Sequence, residues 1–201
     1  SQREYMKIIN DSASTLMVII NDILDFSKIE SGKLELNNEV INIFEVANQV
    51  IDLFKNQADI KNIAFILNIG KNVPKFLFVD ALRLKQILVN LVNNALKFTV
   101  SGKISLNINE VAPSLNRVAS IHFSVQDTGI GIKLENQQKI FESFEQEDSS
   151  TTRRFGGTGL GLTISNQLLA LMKSKLELKS EFGKGSDFYF TVKFKIANEN
   201  E

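Results

Sequence analysis

The sequence lacks several features that would point to particular classes of protein. Its 201 residues contain no cysteine, which excludes disulfides, thiol catalysis and cysteine-based metal sites. Lys plus Arg equals Asp plus Glu at 23 each, and no basic run is interleaved with aromatics, so nucleic acid is not a favoured partner. The longest apolar runs, such as LMVII at 16–20, are too short to span a bilayer, and no signal peptide opens the chain. We therefore expect a soluble, cytoplasmic chain without contacts to nucleic acid or membrane.

The first 30 residues or so have the apolar periodicity of one long helix. A seam with coiled-coil spacing is formed by Met6, Ile9, Ala13, Leu16, Ile20 and Ile23. Further apolar residues lie off this seam, namely Ile8, Met17, Ile19, Leu24 and Phe26. A helix that is apolar on more than one side needs at least two neighbours. The pattern favours a helical bundle completed by other sequence or another chain, over a helix packed on its own domain, and Gly32 is expected to end the helix.

Beyond Gly32, helices and strands are predicted in an irregular order, which favours an α+β fold built as a two-layer α/β sandwich. Strands are predicted at 33–40, 63–69, 103–111, 119–127, 173–182 and 186–196, and helices at 42–58, 80–97 and after Gly159. Asp80 is expected to cap its helix. We expect one hairpin to turn around Pro113 and the last one to turn at the GKG segment.

The helix predicted over 80–97 carries an unusual polar stripe. The stripe consists of Arg83, Gln86, Asn90, Asn94 and Lys97. A solvated face is the usual explanation of such a stripe, but asparagine is a weak helix former and is rare on solvated faces. Asn90 and Asn94 are one turn apart, so their amide oxygens point the same way. Two neutral oxygen ligands near Lys97 suit a hydrated Mg²⁺ that carries phosphates.

Two glycine motifs follow this helix. In SVQDTGIGI (124–132), Asp127 ends a strand with no basic neighbour, so it needs donors such as the N6 amino group of adenine. Gly129 and Gly131 would let the backbone approach a flat base, although a plain turn is the alternative. In RRFGGTGLGL (153–162), four of the eleven glycines precede an apolar helix. Free N–H groups at a helix N-terminus favour phosphate, and no Walker A pattern occurs.

In order along the chain, these motifs resemble a known family. The asparagine helix, DTGIGI, IFESFEQ, GGTGLGL and GKGSDFYF resemble the N, G1, F, G2 and G3 boxes of sensor histidine kinases, within the gyrase/Hsp90/MutL ATPase superfamily. NDILDFSKIESGKLEL (21–36) resembles the end of the second dimerisation helix of hybrid-type sensor kinases. The resemblance implies a catalytic domain with the Bergerat ATP-binding fold over 33–201. It also implies the second helix of a dimerisation and phosphotransfer domain over 1–32.

The resemblance also implies roles for individual residues. Asp127 would read adenine, Asn90 and Asn94 would hold Mg²⁺, and residues of about 143–158 would form an ATP lid. Phe141 and Phe144 would anchor this lid or dock on the helices. The implied catalytic residues are Asn94, Lys97 and Arg153. The implied ATP-binding residues are Asn90, Asn94, Lys97, Asp127, Gly129, Gly131, Phe141, Arg153, Gly157, Thr158, Gly159, Leu160, Gly161 and Ser186.

The implied activity is that of an ATP-dependent protein histidine kinase with ATP and Mg²⁺ as cofactors. The γ-phosphoryl group would pass to a histidine and then to an aspartate of a receiver domain, in the same chain or a separate one. The sole histidine, His122, lies in a strand between Ile121 and Phe123, and alternation directs it to solvent. We expect the phosphoacceptor helix to lie before Ser1, so this piece is predicted to be unable to autophosphorylate.

The partners implied are a second copy, bound through the N-terminal helix, and the receiver domain. The region would belong to the cytoplasmic part of a larger, membrane-attached sensor. Two alternatives remain at this point. A degenerate kinase would use the nucleotide to control conformation or partner binding without catalysis. An ATP hydrolase of the same superfamily would need a glutamate as base where this chain has Asn90.

Overall fold

The structure is a computed structural model that describes residues 2–141 and 159–198. A long helix, α1 (Gln2–Glu30), precedes the helices α2 (Ile43–Ile60), α3 (Ala81–Phe98) and α4 (Gly161–Leu171). The strands are β1 (Glu39–Asn42), β2 (Ile63–Ile69), β3 (Phe76–Val79), β4 (Gly102–Leu115), β5 (Val118–Asp127), β6 (Glu177–Glu181) and β7 (Gly185–Ile196). Two short 3-10 turns, Leu134–Asn136 and Lys139–Phe141, follow β5.

Within the described residues, the strands form one mixed sheet in the order β1-β3-β7-β5-β4-β2, and β6 pairs with the first part of β7. Neighbouring strands are antiparallel except β2 and β4, which run parallel with Ile63 opposite Gly102. Helices α2, α3 and α4 pack on one face of this sheet. The predicted two-layer α/β sandwich is therefore confirmed.

The core lies between the sheet and the helices because the strands alternate apolar and polar side chains. Along β5, Ile121, Phe123 and Val125 are buried on the helix side, and the Phe123 ring stacks on Phe190 with 4.9 Å between centroids. Helix α3 contributes the largest buried set, namely Leu84, Ile87, Leu88, Leu91, Val92, Ala95 and Leu96. The face of α3 opposite this set is left for the polar stripe.

Asp80 caps α3 as predicted. One carboxylate oxygen accepts the N–H of Arg83 at 3.0 Å, and the other accepts the N–H of Asn37 at 2.9 Å. The side chain is almost fully buried, with 6% of the residue exposed. The same carboxylate therefore starts the helix and fixes the loop that precedes β1.

The strand predicted over 33–40 is wrong, because 33–38 form no regular structure and β1 covers Glu39–Asn42. Leu34 and Leu36 still pack on the core in alternation, which explains the strand-like pattern. Strand β1 pairs with β3, and β3 itself was not predicted as a strand. Four residues are too few to show a period, so a strand this short leaves no clear signal.

The hairpin between β4 and β5 was predicted, but its turn is not at Pro113. That proline lies in β4, within the second of two register shifts against β5, between Ala112 and Leu115, where a residue without an N–H group is tolerated. The chain turns instead at Asn116 and Arg117, which both have positive φ angles, 52° and 59°. The final hairpin does turn at the predicted GKG segment, with Glu181 opposite Gly185.

Helix α1 is confirmed, and Gly32 ends it with a φ of 66°. Its C-terminal part packs on the domain through Phe26 and Ile29. The seam beyond this part is open to solvent, since Met6, Ile9, Leu16, Ile20 and Ile23 are between 43% and 69% exposed. Among the described residues, no helix, α1 included, is long and apolar enough to cross a membrane.

A charged contact holds α1 against α3. The Asp25 carboxylate accepts hydrogen bonds from Arg83 Nη1 and Gln86 Nε2, both at 2.8 Å, and Gln86 Oε1 accepts a second bond from Arg83 at 2.7 Å. The Asp25 and Arg83 side chains are each only 16% exposed, so this pair is largely shielded from solvent. The N-terminal end of the polar stripe is thus used to bind α1.

Replacing Asp25 with alanine is expected to release the end of α1 from the domain. Arg83 and Gln86 would lose a shared charged acceptor, and we expect the free energy of unfolding to fall by about 2 kcal/mol. Amide hydrogen exchange should accelerate in residues 22–30, whereas Asp52→Ala on an exposed face of α2 should leave it unchanged. Equal protection in both variants would show that this contact does not dock α1.

Candidate functional site

The two motifs of the candidate site meet where α3 ends. The Ile130 N–H donates a hydrogen bond to the Phe98 carbonyl at 3.3 Å. Gly129 lies so close to this carbonyl group that a β-carbon added to the glycine would overlap it. Such a β-carbon would lie 2.9 Å from the carbonyl carbon of Phe98. The glycine is therefore needed for close backbone approach. The end of α3, where Lys97 precedes Phe98, is therefore joined to the Asp-Gly corner that follows β5.

Asp127 is half-buried at this corner. Its Oδ1 accepts the backbone N–H of Gly129 at 2.8 Å. Burial raises the pKa of the Asp127 carboxyl and outweighs the hydrogen bonds from the Gly129 and Ser186 backbone, which lower it, while the charge of Asp187 adds to the rise. A ligand with an N–H group directed at this carboxylate would add a further donor and stabilise its charged form.

The strands around Asp127 approach each other closely. Ser186 lies opposite Asp127 across β5 and β7, is 8% exposed, and has its hydroxyl 2.9 Å from that of Ser180. Gly185, with a φ of 117°, packs against the Asp127 carbonyl, and Gly131, with a φ of 65°, packs against Glu181. Gly185 was not among the predicted site residues, although it stands in the GKG segment.

On α3, Asn90 and Asn94 are half-buried and Asn93 is exposed. Asn90 Nδ2 donates to Ser165 Oγ of α4 at 2.9 Å, so α3 and α4 are joined by a side-chain hydrogen bond. The oxygen end of the same amide faces Gly161. A β-carbon at Gly161 would lie 3.0 Å from Asn90 Cγ and closer still to Oδ1. Ser165 was missed by sequence reasoning, although it lies one turn after Gly161.

Lys97 is half-buried at the last turn of α3, with Nζ 4.9 Å from the centroid of the Phe98 ring. Burial lowers the pKa of its ammonium group, because the charged form is less well solvated there. An anionic ligand next to Lys97 would favour the charged form. A phosphate group would supply such a negative charge.

The start of α4 carries the end of the second glycine motif. Gly159 has a φ of 70°, Leu160 is 2% exposed, and the helix begins at Gly161. Phe141 packs on the core, and its carbonyl oxygen is 3.4 Å from the Thr163 hydroxyl, which donates to it. Outside the described residues lie Arg153, Gly157, Thr158, Phe144 and the predicted lid.

The side chains of the site suit a magnesium ion that has water and phosphate oxygens as most of its ligands. In residues 2–141 and 159–198, no group of three or more acidic or histidine side chains could hold a metal. Two amide oxygens on one side of α3 are hard, neutral ligands of the kind that Mg²⁺ accepts beside water and phosphate oxygens. Gly161 keeps open the space in front of the Asn90 oxygen, which a β-carbon would fill.

His122 lies away from this site. Its neighbours Ile121 and Phe123 are fully buried on the helix side, and the His122 side chain is on the other face of the sheet. There its Nδ1 is 3.0 Å from the Thr191 hydroxyl. The predicted orientation of this side chain is confirmed, and it is separated from Asp127 and Lys97 by the sheet.

Comparison with known proteins identifies the class. Residues 79–196 match the family described as histidine kinase-, DNA gyrase B-, and HSP90-like ATPase. The chain belongs to this ATPase family. Within it, the chain resembles histidine kinases named as signal-transducing or hybrid, and it is a histidine-kinase-type ATP-binding catalytic region.

Two curated relatives show the extent of the match. The signal transduction histidine-protein kinase BarA of Escherichia coli K12 is 40% identical over 192 residues, which is 96% of this chain and 21% of BarA. The sensor protein GacS of Pseudomonas syringae is 39% identical over 200 residues, which is 100% of this chain and 22% of GacS. The chain thus spans about a fifth of the length of these relatives.

Solved structures agree in fold. Full-length ShkA in complex with AMPPNP superposes with a TM-score of 0.82 at 31% identity, over 100% of this chain and 40% of that one. The Acinetobacter baumannii histidine kinase AdeS superposes with a TM-score of 0.71 at 22% identity, over 96% of this chain and 84% of AdeS, and supports the fold.

The raised pKa of Asp127 predicts a pH-dependent stability. The folded state holds this proton more tightly than the unfolded state does, so stability falls as the pH rises from the ordinary value near 3.8 through the folded pKa. In Asp127→Asn this loss is absent. We expect the variant to gain in melting temperature relative to the parent chain as the pH rises from about 4 to 7. A difference in melting temperature between variant and parent that does not change with pH would contradict this account of Asp127.

Proposed function

We propose that this region binds Mg-ATP and passes its γ-phosphoryl group to a histidine outside residues 1–201. Residues 33–201 are the catalytic ATP-binding domain, and residues 1–32 are the second helix of the dimerisation domain. The observation that carries the proposal is the junction at Phe98, which joins the end of α3, next to Lys97, to the corner of Asp127. A cytoplasmic location, within a larger membrane-attached sensor, is part of this proposal.

Asp127 binds the adenine base. A half-buried carboxylate whose charged form is disfavoured by burial suits the N6 amino group of adenine, whereas guanine presents a carbonyl oxygen at that position and is repelled. Gly129 and Gly131 leave the backbone free of β-carbons beside the base. Ser186, buried opposite Asp127, supports this end of the pocket.

The triphosphate lies along the stripe of α3 and the start of α4. Asn90 and Asn94 hold Mg²⁺, which when bound offsets the charge of the phosphate oxygens. Lys97 and Arg153 face the phosphates. The backbone at the start of α4 receives phosphate oxygens, and the residues assigned to ATP binding here are Gly157, Thr158, Gly159, Leu160 and Gly161, together with Phe141.

In the transfer step, a histidine ring nitrogen forms a bond to Pγ while the bond from Pγ to the bridging oxygen of ADP breaks. The protein contributes positioning and charge stabilisation by Asn94, Lys97 and Arg153. His122 is not the acceptor, because it lies on the other face of the sheet. The phosphoryl group then passes to an aspartate of a receiver domain, in the same protein or a separate one.

Calorimetric titration with Mg-ATP and Mg-GTP tests this function. We expect ATP to bind and GTP not to bind, and we expect Asp127→Asn to weaken ATP binding on the order of tenfold to a hundredfold, since a charged acceptor is lost. Asp52→Asn is the matched control. That carboxylate is exposed on α2, away from the Asp-Gly corner, and its loss should leave ATP affinity nearly unchanged.

The kinase itself is tested by adding a histidine-bearing dimerisation helix in trans and following labelled phosphate from ATP. Transfer to that helix supports the proposal. Nucleotide binding without any transfer would instead favour a module that uses ATP to set conformation. Absence of nucleotide binding by the folded protein would overturn the proposed function.

The homodimer is part of the same proposal. The seam of α1 leaves five large apolar side chains between 43% and 69% exposed, and these are Met6, Ile9, Leu16, Ile20 and Ile23. Their coiled-coil spacing suits a second copy of the same helix. The last turns of α1 are already used by the domain, so the dimer would form along the part before Asp25.

Charge placed on this seam should dissociate the dimer. We expect Leu16→Glu and Ile23→Glu each to weaken self-association by at least about tenfold, because a carboxylate would be buried between the helices. Sedimentation equilibrium measures the effect. Leu53→Glu is the control, since Leu53 on α2 is as exposed as Leu16 but lies off the seam. A parent chain that is monomeric at all concentrations would refute the proposed dimer.

A further inference from the structure

We infer that Ser165 is a positioning residue that fixes which end of the Asn90 amide is presented to the metal and phosphates. This inference rests on the proposed function, in which Asn90 holds Mg²⁺. Ser165 lies in α4, is 2% exposed, and is outside every role assigned above. Its hydroxyl accepts a hydrogen bond from Asn90 Nδ2 at 2.9 Å.

An asparagine amide has a donor end and an acceptor end, and rotation by half a turn exchanges them. Only the oxygen end can coordinate a hard cation. For a half-buried asparagine without a fixed partner, the two orientations are close in energy, because the terminal torsion is soft. A metal-binding asparagine therefore needs a contact that selects one orientation.

Two contacts in α4 make this selection together. Ser165 holds the NH₂ group, and the oxygen then faces Gly161, where the missing β-carbon leaves room for it. Gly161 and Ser165 are four residues apart, so both lie on the same side of α4. The serine and the glycine thus act on opposite ends of one amide.

This arrangement also links the metal site to the start of α4. Gly161 is the first residue of the helix, next to the backbone groups assigned to the phosphates. A shift of α4 would move the acceptor of the Asn90 amide at the same time as it moved the phosphate-binding backbone. The hydrogen bond therefore keeps the two parts of the triphosphate site in register.

The test separates orientation of Asn90 from general stability. The affinity for AMPPNP is measured by calorimetry with Mg²⁺ and with EDTA, and the ratio of the two dissociation constants reports the contribution of the metal. The variants are Ser165→Thr, which keeps a hydroxyl, and Ser165→Val, which has nearly the same shape as threonine but no hydroxyl. Thermal unfolding of both variants shows whether they are equally folded, so any steric cost of the larger side chain is shared.

We expect Ser165→Val to reduce the magnesium-dependent gain in affinity by about tenfold, the usual effect of losing a hydrogen bond that orients a metal ligand. Binding in EDTA should be unchanged, and Ser165→Thr should restore most of the gain. Ser174→Ala is the control, since that hydroxyl donates to the Thr191 carbonyl and lies outside the proposed nucleotide site.

Equal magnesium dependence in the Val and Thr variants would overturn this inference while leaving the proposed function intact, provided that Asn90→Ala still abolishes the gain. A parent chain whose AMPPNP affinity does not depend on Mg²⁺, or an Asn90→Ala variant that keeps the full gain, would instead overturn the assignment of Asn90 as a ligand, and the role of Ser165 with it.

Discussion

The contact between the end of α3 and the Asp-Gly corner is the constraint on which the site depends. Gly129 must lack a β-carbon for its backbone to pass the Phe98 carbonyl, and Ile130 then donates to that carbonyl. The contact joins an element of the helix layer to the end of a central strand. A larger side chain at Gly129 would push the end of α3 away from the Asp-Gly corner even if both elements kept their own structure.

Residues with a local signal could be predicted from the sequence. The stripe of α3 was visible because asparagine at Asn90 and Asn94 opposes helix propensity, and Asp127 was visible as a strand-end carboxylate without a basic neighbour. Strands of seven residues or more carried a clear period, and β2 was predicted with its true bounds. The five ordered motifs then identified the family, and the match over 79–196 agrees with them.

What could not be predicted depends on contacts between distant parts of the chain. Strand β3 is four residues long and is recognisable through its pairing with β1 and β7. Residues 33–38 look like a strand because Leu34 and Leu36 are buried, yet Asn37 is bound to the Asp80 carboxylate. Ser165 and Gly185 can be recognised as neighbours of the site only from the structure, in which α4 lies beside Asn90 and β7 lies beside Asp127. These contacts between distant parts of the chain leave no periodic pattern in the sequence.

Asp127 and Lys97, two site residues in the described part of the chain, are both held in environments that disfavour their charge. Burial raises the pKa of Asp127 and lowers that of Lys97, so each group is destabilised in the charged form. In the proposed function, ATP would bring an amino group to Asp127 and negative charge to Lys97. Nucleotide binding would then offset both costs and couple the stability of the domain to occupancy of the site. On this proposal, the residues that make the domain less stable by itself would also make it selective for a ligand with an amino group at one end and phosphates at the other.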